Sequence, residues 1–115
     1  HTGSIPATIT AVETVDACLG RVLQSAEQAK ARLIITADHG NCELMIDPAT
    51  GGPHTAHTTN PVPLLVVDPD GDRPLRNGGA LCDVGPTILR MLELEQPTEM
   101  TGKDLQMREA AGATR

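Results

Sequence analysis

The first quarter of the chain has the periodicity of an amphipathic helix. Between Ala7 and Lys30, apolar side chains recur every three or four positions, the spacing that gathers them on one helix face. Those side chains are Ile9, Val12, Val15, Cys18, Leu19, Val22, Leu23 and Ala26. Pro6 suits a first helical turn, where its missing N–H removes no hydrogen bond. We therefore predict a helix over residues 7–30 whose apolar face is buried.

Two short aliphatic runs predict strands. Residues 31–37 form one run, and residues 63–67 form another that stops at a turn rich in Pro, Asp and Gly. Continuous aliphatic runs are typical of strands that are buried on both faces, so we predict two core strands. Residues 43–46 predict a further short strand.

A second helix is predicted over residues 83–92, with Asp83 at its N-cap. Its apolar residues, expected on or near the buried face, are Val84, Ile88, Leu89, Met91 and Leu92. We expect Cys82, just before this helix, and Cys18 to be core thiols. A helix followed by a buried strand indicates an α/β fold.

The composition points to one domain or less. A typical domain has roughly 100–150 residues, and this chain has 115. It contains no Phe, Tyr or Trp, so its core must be built from Val, Ile, Leu, Met and Ala. It also begins at His1 rather than at Met. We therefore expect a piece of a longer protein.

The charge balance, the absence of long apolar runs and the cysteine count each argue against one class of partner or site. With 9 Lys and Arg against 15 Asp and Glu, the chain lacks the basic patch that nucleic-acid binding requires. It has neither an apolar run of roughly 20 residues nor a signal-peptide pattern, so we expect no membrane contact and a cytoplasmic protein. Three cysteines without a Cys-x-x-Cys pair argue against a disulfide framework or a thiolate zinc site.

Candidate chemistry follows the first predicted strand. Asp38 and His39 come directly after it, and α/β folds place ligands in the crevice where strands end. Carboxylate and imidazole both bind Mn²⁺, Zn²⁺ or Fe, and Gly40 allows a sharp turn beside a cation. A capped surface turn explains the same residues, so spacing alone leaves both interpretations open.

A second histidine cluster lies in the predicted loop before the second strand. His54 and His57 have the His-x-x-His spacing that can clamp one metal, although a solvated turn fits this loop equally well. A Ser–His–Asp hydrolase is disfavoured because the chain has no Gly-x-Ser-x-Gly motif. Cys42 is a possible nucleophile beside His39, but its pattern favours an inert thiol.

Three blocks of sequence carry a family resemblance. Residues 36–41 read Thr-Ala-Asp-His-Gly-Asn, residues 55–63 read Thr-Ala-His-Thr-Thr-Asn-Pro-Val-Pro, and residues 99–103 read Glu-Met-Thr-Gly-Lys. Together with the opening His-Thr-Gly, they resemble the C-terminal part of cofactor-independent phosphoglycerate mutases, which belong to the alkaline-phosphatase superfamily. The likeness runs from His1 to about Leu105.

The resemblance implies a fold, a reaction and a ligand set. Residues 1–109 would be the C-terminal part of an alkaline-phosphatase-like α/β domain, a sheet flanked by helices, and residues 110–115 a disordered tail. The family interconverts 3-phosphoglycerate and 2-phosphoglycerate through a phosphoserine, with two Mn²⁺ ions and without 2,3-bisphosphoglycerate. By position, Asp38 and His39 match ligands of one ion, and His1 and His57 match ligands of the other. Asn41 is expected to orient the ligands from behind.

Parts of the family's site are not matched by any residue of this chain. In the family, the nucleophilic serine, the remaining carboxylate ligands and the substrate-binding basic residues lie upstream of the position of His1. We therefore expect this chain alone to be inactive and to self-associate through an uncovered sheet edge. Two alternatives remain: another phosphotransferase of the superfamily, such as a phosphopentomutase, or a metal-binding module without catalysis. The Thr-Thr-Asn-Pro-Val-Pro stretch favours the mutases.

Overall fold

The computed structural model describes residues 2–107. Its elements are α1 (Ile5–Ala29), β1 (Leu33–Ile35), β2 (Leu65–Val67), a 3-10 turn (Leu81–Asp83) and α2 (Val84–Met91). The chain divides into two compact units, within His1–Pro69 and Asp70–Arg115. His1 and the tail predicted over residues 110–115 lie outside the described residues. Among the described helices, none is long and apolar enough to cross a membrane.

The predicted first helix is confirmed, with bounds close to those expected from the pattern. The Oγ of Ser4 accepts a hydrogen bond of 3.4 Å from the N–H of Ala7 and caps α1. Pro6 lies in the first turn, where a proline is tolerated. The helix ends at Ala29, and its C-cap Lys30 adopts the left-handed conformation with φ of 51°. Local sequence signals therefore set both ends of α1.

The predicted burial of the helix face is wrong. Only Ala26 of α1 is buried, whereas Val15 is 66% exposed and Cys18 is also exposed. A helix of 25 residues is about 37 Å long. A three-residue strand spans only about 10 Å. The two short strands can therefore cover little of this helix face.

The two predicted strands pair with each other in an antiparallel sheet. Leu33 is opposite Val67, and Ile35 is opposite Leu65. The β1 side chains are half-buried, whereas Leu65 and Val67 are exposed, so the expectation of strands buried on both faces is wrong. A sheet of only two strands buries little apolar surface by itself, so these side chains remain in solvent. The strand predicted over residues 43–46 is reduced to one bridge between Ile46 and Pro53.

Antiparallel pairing decides where the polar loops lie. The last residue of β1 and the first residue of β2 are at the same end of the sheet, because Ile35 pairs with Leu65. At the opposite end of the sheet, Nε of Arg32 lies 3.3 Å from Oδ1 of Asp68. The loop that follows β1 and the loop that precedes β2 therefore meet.

In the second unit, α2 is tied to the segment that follows it. Asp83 occupies the predicted N-cap position, but its carboxylate accepts hydrogen bonds of 2.8 Å from the N–H groups of Lys103 and Ala80 instead of capping the helix. These two bonds, Lys103 first, lower the pKa of Asp83. The buried hydroxyl of Thr87 donates to the carbonyl of Asp83 (2.7 Å) and accepts from the N–H of Leu105 (3.0 Å).

The predicted apolar face of α2 is only partly buried. Met91 is buried, whereas Ile88 is 42% exposed and Leu92, which lies just beyond the last helical residue, is 55% exposed. Cys82 is exposed, which corrects the expectation of a core thiol at this position. The three cysteines of the chain are all free.

Candidate metal centre

The two polar loops are joined by backbone hydrogen bonding. Gly40, just after Asp38 and His39, pairs with Thr58, and the N–H of Thr58 donates to the carbonyl of Gly40 over 2.9 Å. Closer to the strands, the hydroxyl of Thr36 donates to the carbonyl of Pro63 over 2.9 Å. The strand pairing is thus extended, irregularly, into the region of the two sequence motifs.

Asp38 and His39 present two donor atoms side by side. Oδ1 of Asp38 lies 3.5 Å from Nε2 of His39. The Nδ1 of His39 lies 3.1 Å from the carbonyl oxygen of Gly40, which can only accept, so Nδ1 carries the hydrogen. The lone pair of a neutral His39 is then on Nε2, beside the carboxylate. Two ligands of one tetrahedral ion, each about 2.1 Å from it, lie roughly 3.4 Å apart. The pair therefore fits a single divalent cation.

His57 lies directly against this pair. Its ring is stacked on that of His39, with centroids 3.6 Å apart and an interplanar angle of 13°. The family resemblance assigns these two histidines to different ions. The structure thus brings together three of the four predicted ligands; the fourth, His1, lies outside the described residues.

The described part of the site is incomplete as a metal cage. Within residues 2–107, no group of three or more His, Cys, Asp or Glu side chains is arranged to hold one ion. A catalytic ion normally takes three protein ligands or more. The residues present fit a metal as a partial site, with Asp38 and His39 as its donor pair.

His54 occupies a different environment from His57. The backbone N–H of His54 donates to the carbonyl of Met45 over 2.9 Å, next to the turn that the N–H of Asp47 closes with the carbonyl of Gly52. Its Nδ1 is buried and has no hydrogen-bond partner. His39, rather than His54, is the ring that contacts His57.

Sequence reasoning missed Glu43. One carboxylate oxygen of Glu43 accepts from the N–H of Asn41 over 2.8 Å, and the other accepts from the hydroxyl of Thr58. The Thr58 hydroxyl, followed by the backbone N–H groups of Glu43 itself and Asn41, lowers the pKa of Glu43 from 4.5 to about 2. The local signal for this contact is the spacing alone, since Glu43 lies two residues after Asn41 in a turn, where a side-chain carboxylate can accept from a nearby backbone N–H.

The glycine at position 40 is required for space rather than for its backbone conformation. Gly40 is buried and is not among the glycines with positive φ. A Cβ on Gly40 would overlap Oε1 of Glu43 and the hydroxyl oxygen of Thr58. We expected a glycine here because it allows a sharp turn. The structure gives a different reason: two side chains approach the backbone too closely to leave room for a Cβ.

Comparison with known proteins identifies the family. The profile of the metalloenzyme superfamily matches residues 1–96. The chain belongs to the metalloenzyme superfamily. The matched span of this metalloenzyme contains all four predicted ligands, His1, Asp38, His39 and His57.

Three similar proteins are named 2,3-bisphosphoglycerate-independent phosphoglycerate mutase. This metalloenzyme chain is 60% identical to that of Rhodopirellula baltica over 106 residues, 60% identical to that of Rhodopseudomonas palustris over 105 residues, and 54% identical to one from Cereibacter sphaeroides over 106 residues. Each match covers 91% of this chain but only 20% or 21% of the relative. The chain thus spans about one fifth of the length of these relatives, and the resemblance drawn from the motifs is confirmed.

Proposed function

We propose that this chain is the C-terminal metal-binding part of a phosphoglycerate mutase, a cytoplasmic enzyme of glycolysis that interconverts 3-phosphoglycerate and 2-phosphoglycerate through a phosphoserine. One observation carries the proposal. The Asp38–His39 pair and His57 meet at one end of the sheet. They lie inside a span that is 54–60% identical to proteins of that name. A surface turn would require neither the contact nor the residue types.

The proposed site takes two Mn²⁺ ions and no 2,3-bisphosphoglycerate. Asp38 and His39 would hold one ion, and His57 would hold the other together with His1. When bound, such ions neutralise phosphate charge and keep a serine oxygen deprotonated at neutral pH. Asp38 contributes the negative charge that a divalent ion requires, and its side chain is 82% exposed and so accessible.

The chain's own contacts prepare His39 for this role. The hydrogen bond to the Gly40 carbonyl fixes which ring nitrogen carries the hydrogen and so directs the free lone pair toward Asp38. Imidazoles bind metals only when neutral, so acidification should release the ion from this pair.

We propose that the chain alone does not catalyse the reaction. Its two serines are committed to α1: the Oγ of Ser4 caps the helix, and the Oγ of Ser25 donates to the carbonyl of Arg21 over 3.0 Å. The nucleophile and the missing ligands would come from the rest of the mutase. Two ligands for each ion also predict weak metal binding by this chain.

Isothermal titration with Mn²⁺ and a mutase assay test the proposal together. We expect weak Mn²⁺ binding that falls at least tenfold in Asp38→Asn, because a neutral amide is a poor ligand for a hard cation. Asp72→Asn, which makes the same charge change at an exposed position, should bind as the parent chain does. Neither chain should turn over 3-phosphoglycerate. Equal binding by both variants would contradict the assigned site, and metal-dependent turnover would contradict the predicted inactivity.

A further inference from the structure

Glu43 contacts both loops of the candidate metal centre. We propose that Glu43 is a positioning residue: its carboxylate holds the loop of Asp38 and His39 against the loop of His57, and thereby sets the stacking of the two imidazoles. The role in metal binding rests on the function proposed above, whereas the positioning of the two rings is a property of the chain itself.

The carboxylate reaches both loops immediately beside the proposed ligands. Its Oε2 accepts from the N–H of Asn41, two residues after His39, over 2.8 Å. Its Oε1 accepts from the hydroxyl of Thr58, the residue directly after His57. One side chain therefore joins the two ligand segments through two charge-assisted hydrogen bonds.

Without Glu43, this part of the two loops would be joined by fewer hydrogen bonds. The pairing of Gly40 with Thr58 is an isolated bridge, with one hydrogen bond of 2.9 Å from the Thr58 N–H. A single hydrogen bond fixes a distance but permits rotation about it. The two bonds of Glu43 add further connections between the same loops and restrict that rotation. The N–H of Asn60 also donates to the Thr58 hydroxyl over 3.4 Å, which orients it further.

Gly40 packs against the same carboxylate. Because a Cβ at this position would overlap Oε1 of Glu43, the side chain of Glu43 lies directly on the backbone between His39 and Asn41. The carboxylate is thus held by donors from both loops and packs on the Gly40 backbone. Both of its oxygens are engaged by loop donors, which suits a support for ligands rather than a ligand.

The primary test is NMR of the metal-free chain of 115 residues. The chain has only four histidines, so their ring protons can be assigned individually. The parent chain should show an NOE between the rings of His39 and His57. Glu43→Gln should lose it, because a carboxamide has one acceptor oxygen for two donors. Glu95→Gln, the same charge change at an exposed position, should keep it.

A second pair of variants tests the contact without changing the charge of the chain. Thr58→Val deletes the hydroxyl that donates to Glu43 and should also lose the NOE, whereas Thr58→Ser retains the hydroxyl and should restore it. Circular dichroism of α1 and the amide shifts of β1 and β2 should be unchanged in all variants, which shows that each remains folded. Absence of the NOE in the parent chain, its persistence in Glu43→Gln, or its loss in both Thr58 variants would overturn the inference.

Mn²⁺ titration separates this inference from the proposed function. If both hold, Glu43→Gln should weaken Mn²⁺ binding by about 10- to 100-fold, the usual effect of removing a group that orients a ligand. Glu95→Gln should have no effect. If the parent chain binds no Mn²⁺ but Glu43→Gln still loses the NOE, the metal assignment fails while the positioning role stands. If Mn²⁺ binds to the parent and the NOE is unaffected by Glu43→Gln, the positioning role fails alone.

Discussion

Substituting alanine for two glycines of the same unit should have opposite effects on stability. Gly40→Ala places a methyl group where Oε1 of Glu43 and the hydroxyl of Thr58 already lie. Gly20→Ala places one in open space on α1, where nothing lies within 4 Å. The chemical change is the same, and only the surroundings differ.

The expected magnitudes follow from these surroundings. Overpacking at a tightly filled position costs about 1–3 kcal/mol, so Gly40→Ala should lower the free energy of unfolding by that amount. Alanine in a helix interior is favoured over glycine by about 0.5–1 kcal/mol, so Gly20→Ala should raise it. Urea denaturation followed by far-UV circular dichroism measures both changes.

A double-mutant cycle tests the cause of the Gly40→Ala effect. Glu43→Ala removes one of the two side chains that the new methyl group would meet, so Gly40→Ala should be less destabilising in that background. Additive effects of the two substitutions would mean that the carboxylate does not lie on Gly40. A neutral or stabilising Gly40→Ala would refute the close approach altogether.

Three further outcomes are expected. Thr87→Val should leave the buried N–H of Leu105 unsatisfied at a cost of about 1–3 kcal/mol. Amide exchange at Leu105 should then be roughly 5- to 150-fold faster, while Thr87→Ser keeps it slow. Because the folded-state pKa of Glu43 is lowered to about 2, its contribution to stability should be present above pH 4.5 and lost as the pH falls toward 2. The Asn41 amide shift should titrate near that lower value, and titration near 4.5 would contradict it. Light scattering should show self-association that Leu65→Lys, on the exposed strand, reduces; a monomeric mass across a hundredfold concentration range would contradict this.

The sequence predicted the elements better than their burial. The 3.6-residue periodicity and Pro6 located α1 to within two residues at its start and one at its end, because helix ends are determined by local contacts. The exposure of Val15 and Leu65 could not be inferred in the same way. Burial depends on which other elements cover a face, and these two short strands are too small to cover the helix.

The candidate site shows the same division. Asp38, His39 and His57 stand out as residue types with metal-binding chemistry in polar loops, and the antiparallel pairing of β1 with β2 brings those loops together. The role of Glu43 depends on a contact with Thr58, fifteen positions away along the chain. An acidic residue in a loop has no pattern that distinguishes such a contact from simple solvation.

Paramagnetic broadening by Mn²⁺ tests the central claim most directly. In substoichiometric Mn²⁺, the ring protons of His39 and His57 should broaden first, together with the amide of Asp38, since these groups meet at the proposed centre. The ring protons of His54, a residue outside the proposed ligand set, should broaden less at the same Mn²⁺ concentration. Stronger broadening of His54 than of His39 and His57 would contradict the assignment of the metal centre to this end of the sheet. Broadening of exposed acidic residues across both units to the same extent as His39 and His57 would also contradict it.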